Sequence, residues 1–135
     1  MAFDHSLTYR VRALRNMPHR MRLHAIERGV RRLNLDTGLS YADFGCSNGY
    51  ITERVRRLTR AGRSWGFDHL EEHLAQGCRQ YPAIEFSLID LNQPNAEVPQ
   101  YDFVSCFETL EHVGNLEAAI GNLLAPIKPG GTALV

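Results

Sequence analysis

Residues Leu39-Ser40-Tyr41-Ala42-Asp43-Phe44-Gly45-Cys46-Ser47-Asn48-Gly49-Tyr50 decide the fold. The mostly apolar run from Leu39 to Phe44 reads as a short buried strand, and it empties without a spacer into a bend of small residues framed by glycines. Glycine is needed where a chain turns sharply and where backbone must approach a ligand with no Cβ in the way. Ile51, Val55 and Leu58 then mark one face of a helix, which Gly62 is placed to close in a left-handed C′ conformation. That helix would aim the free amides of its first turn back at the bend. The unit is strand, tight loop, helix.

The pattern repeats downstream with different residues. Ser64-Trp65-Gly66-Phe67 leads to Asp68, and a helix with Leu70, Leu74 and Cys78 on one face runs to a stop at Tyr81-Pro82. Ile84 to Ile89 leads to Asp90. After a polar, proline-containing loop from Asn92 to Gln100, Asp102 to Phe107 reads as another strand, followed by an acidic turn and a helix from about Leu116 to Ala125. Lys128-Pro129-Gly130-Gly131 is expected to turn the chain into a last apolar run, Thr132 to Val135. Upstream, Leu7 to Leu33 reads as helix in two pieces, broken at Asn16 and Pro18, with Leu23, Ile26, Val30 and Leu33 as a stripe that needs a sheet to lie on. Strands alternating with helices at this pace give an α/β fold: a doubly wound, mostly parallel sheet with helices on both faces. Ligands of such sheets sit beyond the carboxyl ends of the strands, and Asp43, Asp68, Asp90 and Phe107-Glu108 all fall there.

With 135 residues, 44% of them hydrophobic and 22% charged, the chain is an ordinary one-domain globular protein rather than a disordered one. Its formal charge is zero but unevenly spread: residues 1 to 60 carry twelve arginines and five acids, residues 61 to 135 three bases and ten acids. A basic front end steers anionic partners. These arginines are interleaved with apolar residues at helical spacing, however, and read better as solvated helix faces than as a nucleic-acid footprint. Cys46, Cys78 and Cys106 form no C-x-x-C pair, so neither a metal knuckle nor a disulfide framework is indicated. No apolar run approaches the roughly 20 residues of a membrane span, and Met1 does not open a signal segment. The expectation is a cytoplasmic chain with reduced thiols and no membrane span.

A nicotinamide-dinucleotide fingerprint would require G-x-G-x-x-G, and counting from Gly45 puts Ser47 and Tyr50 at its second and third glycines. The loop instead resembles the E/D-x-G-x-G-x-G loop of class I S-adenosylmethionine-dependent methyltransferases, with Ser47 in place of the middle glycine. Ile127-Lys128-Pro129-Gly130-Gly131 is likewise similar to that family's L-K-P-G-G turn, an architectural element. The resemblance implies S-adenosyl-L-methionine as cofactor. It puts Asp43, Gly45, Cys46, Ser47 and Gly49 in the cofactor loop, Asp68 with its neighbour His69 at the ribose, Asp90 and Leu91 at the adenine, and Phe107 and Glu108 beside the methionine part. Each acid keeps a structural alternative: Asp43 as a cap or turn, Asp68 as N-cap of the helix starting at Leu70, Asp90 as the start of a turn. Cys46 is read as a packing residue, and Ser47 as a contact to the cofactor's carboxylate.

The resemblance covers Leu35 to Val135 and divides the chain into an N-terminal helical segment, residues 1–34, that caps the cofactor or lies on the substrate side, and a cofactor-binding domain, residues 35–135, incomplete at its C-terminus. Members of the family continue through a fifth helix and two more strands to a seven-stranded sheet. Five strands are present here, so a fragment or truncated product of marginal stability and doubtful activity is expected.

Methyl transfer from a sulfonium is an in-line displacement in which the cofactor carries the chemistry and the protein supplies alignment. A hydroxyl acceptor gains from a general base, and His112, with Glu111 beside it, is the candidate just beyond the fourth strand. The pattern Glu108-x-x-Glu111-His112 resembles both small-molecule O-methyltransferases of the quinone-biosynthesis type and small-RNA 3′-end 2′-O-methyltransferases. In the second group the two glutamates and the histidine bind a divalent metal with a further histidine, and no histidine follows His112. His69 and His73, four apart, are read as exposed helix residues rather than a metal pair, and the roles of His5, His19 and His24 are not legible. The reading is therefore a methyltransferase acting on a small-molecule acceptor at oxygen. Its alternatives are a metal-assisted RNA 3′-end enzyme using Glu108, Glu111 and His112, and a module that binds the cofactor without transferring methyl.

Overall fold

The computed structural model describes residues 6–10, 14–94 and 99–135. In chain order these form α1 (Ser6–Arg10), α2 (Met17–Arg32), β1 (Ser40–Phe44), α3 (Tyr50–Thr59), β2 (Arg63–Asp68), α4 (Glu71–Gln80), β3 (Glu85–Leu88), β4 (Tyr101–Ser105), α5 (Leu116–Leu124) and β5 (Ile127–Leu134), with 3₁₀ turns at Leu14–Asn16 and Leu110–His112. All strand pairings are parallel and the sheet order is β3-β2-β1-β4-β5. The chain lays β2 and β3 to one side of β1 and β4 and β5 to the other. The order therefore reverses between β1 and β4, which is where an open α/β sheet keeps its ligand crevice.

Side-chain alternation along the strands builds a core on each face. Tyr41 and Phe103, stacked at 5.1 Å, look toward α2 and α3 and close a cluster with Val30, Leu39, Val55 and Ala61. Ala42, Phe44, Phe67 and Val104 look the other way and meet Ala119 and Leu123 of α5. The α2 stripe lies on the sheet as expected, with Leu23 and Val30 buried and Ile26 and Leu33 partly so. Pro18 sits in the first turn of α2, where its missing N–H costs nothing, and Asn16 occupies the N-cap position without a side-chain capping bond. α5 leaves Leu116, Ile120 and Leu124 exposed at successive fours.

Several local expectations change. α3 is closed by Arg60 in the left-handed conformation (φ 51°), not by Gly62. Gly62 is required for a different reason: a Cβ there would come within 2.7 Å of the Gly38 carbonyl. α4 packs through Leu74 and Gly77, while Leu70 and Cys78 are exposed, because the helix rests on an aromatic ring that only glycine lets it approach. β4 ends at Ser105 rather than Phe107, since Glu108 turns left-handed (φ 53°) just beyond it. Lys128 to Gly131 lies inside β5 rather than ahead of it. Tyr101 pairs with Ile127 and Phe103 with Thr132, so the proline and glycines are absorbed as an irregularity of the edge strand. Lys128 Nζ reaches back to Asp102 (3.0 Å) and Ser40 (3.3 Å), pinning that irregularity to β4 and β1.

Candidate functional site

The bend after β1 is sewn to the end of β2. Gly45 N–H and Cys46 N–H both donate to the Phe67 carbonyl (2.7 and 3.0 Å), and Ser47 N–H donates to the Asp68 carboxylate (2.8 Å). Gly45, Ser47 and Gly49 all have positive φ (79°, 50° and 80°). At Gly45 the requirement is double, because a Cβ would also lie 2.1 Å from Thr109 Oγ1. Under the bend lies a residue that sequence reasoning passed over, Phe86 of the edge strand β3. Its ring fills a slot whose walls are Gly49, Gly66 and Gly77; a Cβ on any of them would come within 2.5 to 2.9 Å of the ring. Spaced through three separate elements, these glycines carry no local pattern that announces a shared neighbour.

Asp43 is buried at 2% exposure, and its carboxylate accepts from Thr52 Oγ1 and Ser105 Oγ, both at 2.6 Å. Burial pushes its pKa up to about 6 against the pull of those two bonds. Tyr41, whose phenol burial raises well above the ordinary range, stays protonated and shares a 2.7 Å bond with Ser105. The row Tyr41, Ser105, Asp43, Thr52 thus ties β1, β4 and α3 together below the bend. Cys46 is buried as well; burial raises its thiol pKa, which makes it a poor nucleophile.

Two adjoining cavities open above this floor. The larger, about 430 Å³, has Asp43, the Gly45–Asn48 bend, Asp68, His69, Phe107 and Glu108 in its walls. The smaller, about 100 Å³, is bounded by Ile89, Asp90, Leu91 and Asn92. Gly45, Asp68, His69, Thr109 and His112 belong to both. Asp68 therefore stands on the shared rim. Its two oxygens each accept one backbone amide, from Ser47 (2.8 Å) and Leu70 (3.0 Å), so Asp68 anchors the loop and closes a turn ahead of α4, whose N-cap position falls to Leu70 rather than to Asp68. A carboxylate has about four acceptor sites, which leaves capacity toward the cavities.

Asp90 is exposed and accepts from Asn92 N–H (2.9 Å) and Asn92 Nδ2 (3.0 Å), bonds that lower its pKa. This is the turn offered as its alternative role, placed beside the smaller cavity. Asn92, another residue that sequence reasoning did not single out, also accepts from Gly114 and Asn115 N–H and so fixes the turn to the start of α5.

Gly49 stands at the N-terminus of α3 behind the bend. His112 lies in the 3₁₀ turn and lines both cavities, whereas Glu111 is exposed and lines neither. Glu108 is turned to Arg22 of α2 (2.9 Å). Among the described residues no three His, Cys, Asp or Glu side chains are grouped so as to hold a metal ion, Glu108, Glu111 and His112 included. His73 comes to Ser47 Oγ at 3.4 Å and His19 lines the larger cavity; His5 lies outside the described residues. Arg22, Arg54, Arg56 and Arg57, all on helices, each pair with a glutamate, in keeping with solvated helix faces. Among the described residues no helix is long and apolar enough to cross a membrane.

A five-stranded parallel sheet in this order, with a glycine bend at the switch point and acids closing the next strands, has the Rossmann-like fold of class I S-adenosylmethionine-dependent methyltransferases. The chain belongs to the methyltransferase-domain family, which it matches over residues 14–135. It is 29% identical over 97 residues to the ubiquinone biosynthesis O-methyltransferase of Salmonella enteritidis, covering 70% of this chain and 40% of that protein. The corresponding Bradyrhizobium enzyme is 27% identical over 113 residues, 81% of this chain and 44% of that one. The chain thus spans less than half the length of these curated relatives. Among solved structures, coclaurine N-methyltransferase bound to N-methylheliamine and S-adenosylhomocysteine superposes with a TM-score of 0.70 at 20% identity, covering 83% of this chain and 34% of that one.

Proposed function

We propose that this chain is the cofactor-binding part of an S-adenosylmethionine-dependent methyltransferase whose acceptor is a small molecule methylated at oxygen. The observation that carries the reading is the position of Asp68, a carboxylate with spare acceptor capacity on the rim common to two adjoining cavities. A ribose diol needs such an acceptor between a compartment for a base and one for an amino-acid tail. The Gly45 bend supports the fit, since a Cβ there would collide with Thr109, which lines both cavities with it. So does the larger cavity's volume of about 430 Å³, which lies within the usual span of cofactor sites, roughly 300–1,000 Å³.

In this reading the Asp68 carboxylate takes the ribose hydroxyls, the Asp90–Leu91 turn meets the adenine edge, and the Ser47 hydroxyl faces the amino-acid tail. Asp43 acts one layer below, holding the bend to α3 and β4. S-adenosylmethionine, when bound, supplies a methyl group made electrophilic by its sulfonium. The chain's remaining task is to orient an acceptor oxygen and relieve it of its proton, for which the His112 imidazole stands at the rim. The O-methyltransferase relatives support oxygen as the methylated atom.

Calorimetric titration with S-adenosylmethionine, S-adenosylhomocysteine and NAD tests the reading. Both sulfur nucleosides should bind and NAD should not, and Asp68→Ala should weaken them by at least about tenfold, the loss of one good hydrogen-bonded pair. Binding of NAD alone, or unchanged nucleoside affinity in Asp68→Ala, would overturn it.

A further inference from the structure

The larger cavity has a second wall in which the cofactor reading uses Glu108 alone. Tyr9 of α1 lies over Tyr50, the first residue of α3, with ring centroids 5.3 Å apart and planes 17° from parallel. His19 of α2 meets the edge of Tyr9 at 5.8 Å and 77°. Arg22, one turn further along α2, crosses to Glu108 beyond β4. All five residues line the same cavity as Asp68. Tyr50 and Glu108 follow β1 and β4, whereas the ribose and adenine acids close β2 and follow β3, on the other side of β1 in the sheet.

We propose that this wall is the acceptor seat and that it takes a planar, uncharged aromatic compound, with Tyr9 as the residue that sets this specificity. The inference rests on the cofactor reading for which end of the cavity receives the acceptor. The chemistry of the wall selects the ligand. Two stacked phenol rings offer a flat, polarisable face, and aromatic ligands prefer such faces in offset or edge contact. The charges on the wall cancel: Arg22 is the one guanidinium among the described lining residues, and it is held 2.9 Å from the Glu108 carboxylate. On this wall a phosphate would meet Glu108 beside the guanidinium, and an ammonium would meet Arg22 beside the carboxylate. An uncharged ring loses nothing to either and stays in reach of two imidazoles, His19 and His112.

The test uses the whole chain, with and without saturating S-adenosylhomocysteine, and three probes: 2-naphthol, 2-naphthyl phosphate and cyclohexanol. Binding is followed by saturation-transfer NMR and fluorescence titration. The wild-type protein should prefer 2-naphthol to both other probes by at least about tenfold. Tyr9→Phe, which keeps the ring, should hold that affinity within about twofold, and Tyr9→Leu should lose about tenfold. S-adenosylhomocysteine affinity should stay the same in all three proteins. Tyr50→Leu repeats the test from the other ring. Equal binding of cyclohexanol or naphthyl phosphate, or undiminished naphthol binding in Tyr9→Leu and Tyr50→Leu, overturns the proposal. If S-adenosylhomocysteine binds and naphthol does not, the seat fails and the cofactor reading stands. If the nucleoside does not bind but the naphthol pattern appears, the seat stands and the cofactor reading fails.

Discussion

Thr52 Oγ1, in the first turn of α3, donates to Asp43 at the end of β1 across 2.6 Å, so the strand and helix that flank the glycine bend are joined beneath it by a single buried acid. Ser105 Oγ holds the same carboxylate from β4. The carboxylate has no cation among these partners, and its stability contribution therefore depends on pH in an unusual direction. Its folded pKa, about 6, lies above the ordinary carboxylate value of 3.8. Between those values the folded state binds more protons than the unfolded one, and stability falls as pH rises through the window. Replacing it by asparagine removes that dependence. In urea melts, Asp43→Asn should gain about 3 kcal/mol relative to wild type between pH 4 and pH 7. A difference that does not vary with pH would mean that Asp43 is not the group responsible.

Asp102 should behave in the opposite sense. Bonds from Ser40 N–H and Oγ, and then Lys128, lower its pKa to about 2. The stability it contributes is complete above its unfolded pKa and is lost as pH falls toward 2. Its side chain is 41% exposed, so solvent screening reduces the effect. Asp102→Asn should cost about 1 kcal/mol at pH 7, with the difference shrinking below pH 4. An undiminished difference at pH 2.5 would count against this account.

Gly45→Ala combines a left-handed backbone with a collision against Thr109. Left-handed strain costs about 1–2 kcal/mol, and the clash adds about as much. A loss of about 2–4 kcal/mol is expected in chemical denaturation, along with loss of nucleoside binding by calorimetry. Wild-type affinity in the folded variant would show that the bend does not form the cavity wall.

Gly77 gives a prediction of sign. In the middle of a helix, glycine to alanine ordinarily stabilises by roughly 0.5–1 kcal/mol. In α4 the new Cβ would lie 2.7 Å from the Phe86 ring and 3.1 Å from the Asn48 carbonyl. Gly77→Ala should therefore lower the melting temperature, and Gly77→Ala combined with Phe86→Leu should recover part of the loss. A higher melting temperature for the single variant would refute the close packing of α4.

The architecture was legible in the sequence because its signals are local: apolar runs of strand length end in Asp43, Asp68 and Asp90, and helical stripes fill the intervals. The family likeness put the three acids along one rim; Asp68 lines both cavities, Asp90 only the smaller one, and Asp43 is buried beneath the bend. What escaped was set by contacts between distant residues. Phe86 reads as an ordinary strand residue until Gly49, Gly66 and Gly77 are folded around it. The left-handed turns at Arg60 and Glu108 fall on residue types that give no warning of them, so the sequence points to Gly62 as the close of α3 and to Phe107 as the end of β4, and both elements stop earlier. Tyr9 and Tyr50 are 41 positions apart, and only the path of α1 and α2 over the cavity brings them together. The edge-strand irregularity at Lys128 to Gly131 was misplaced because proline and glycine report a break in regular pairing without saying whether it falls before or within a strand.

The ring of Phe86, wedged among three glycines, makes the bend, the second strand and the fourth helix a single mechanical unit. Substitutions at Gly49, Gly66, Gly77 and Phe86 will consequently not act as independent increments; their double-mutant cycles should show substantial interaction energies. A change on the outermost strand will then be felt at the cavity proposed for the nucleoside, which no residue of β3 lines.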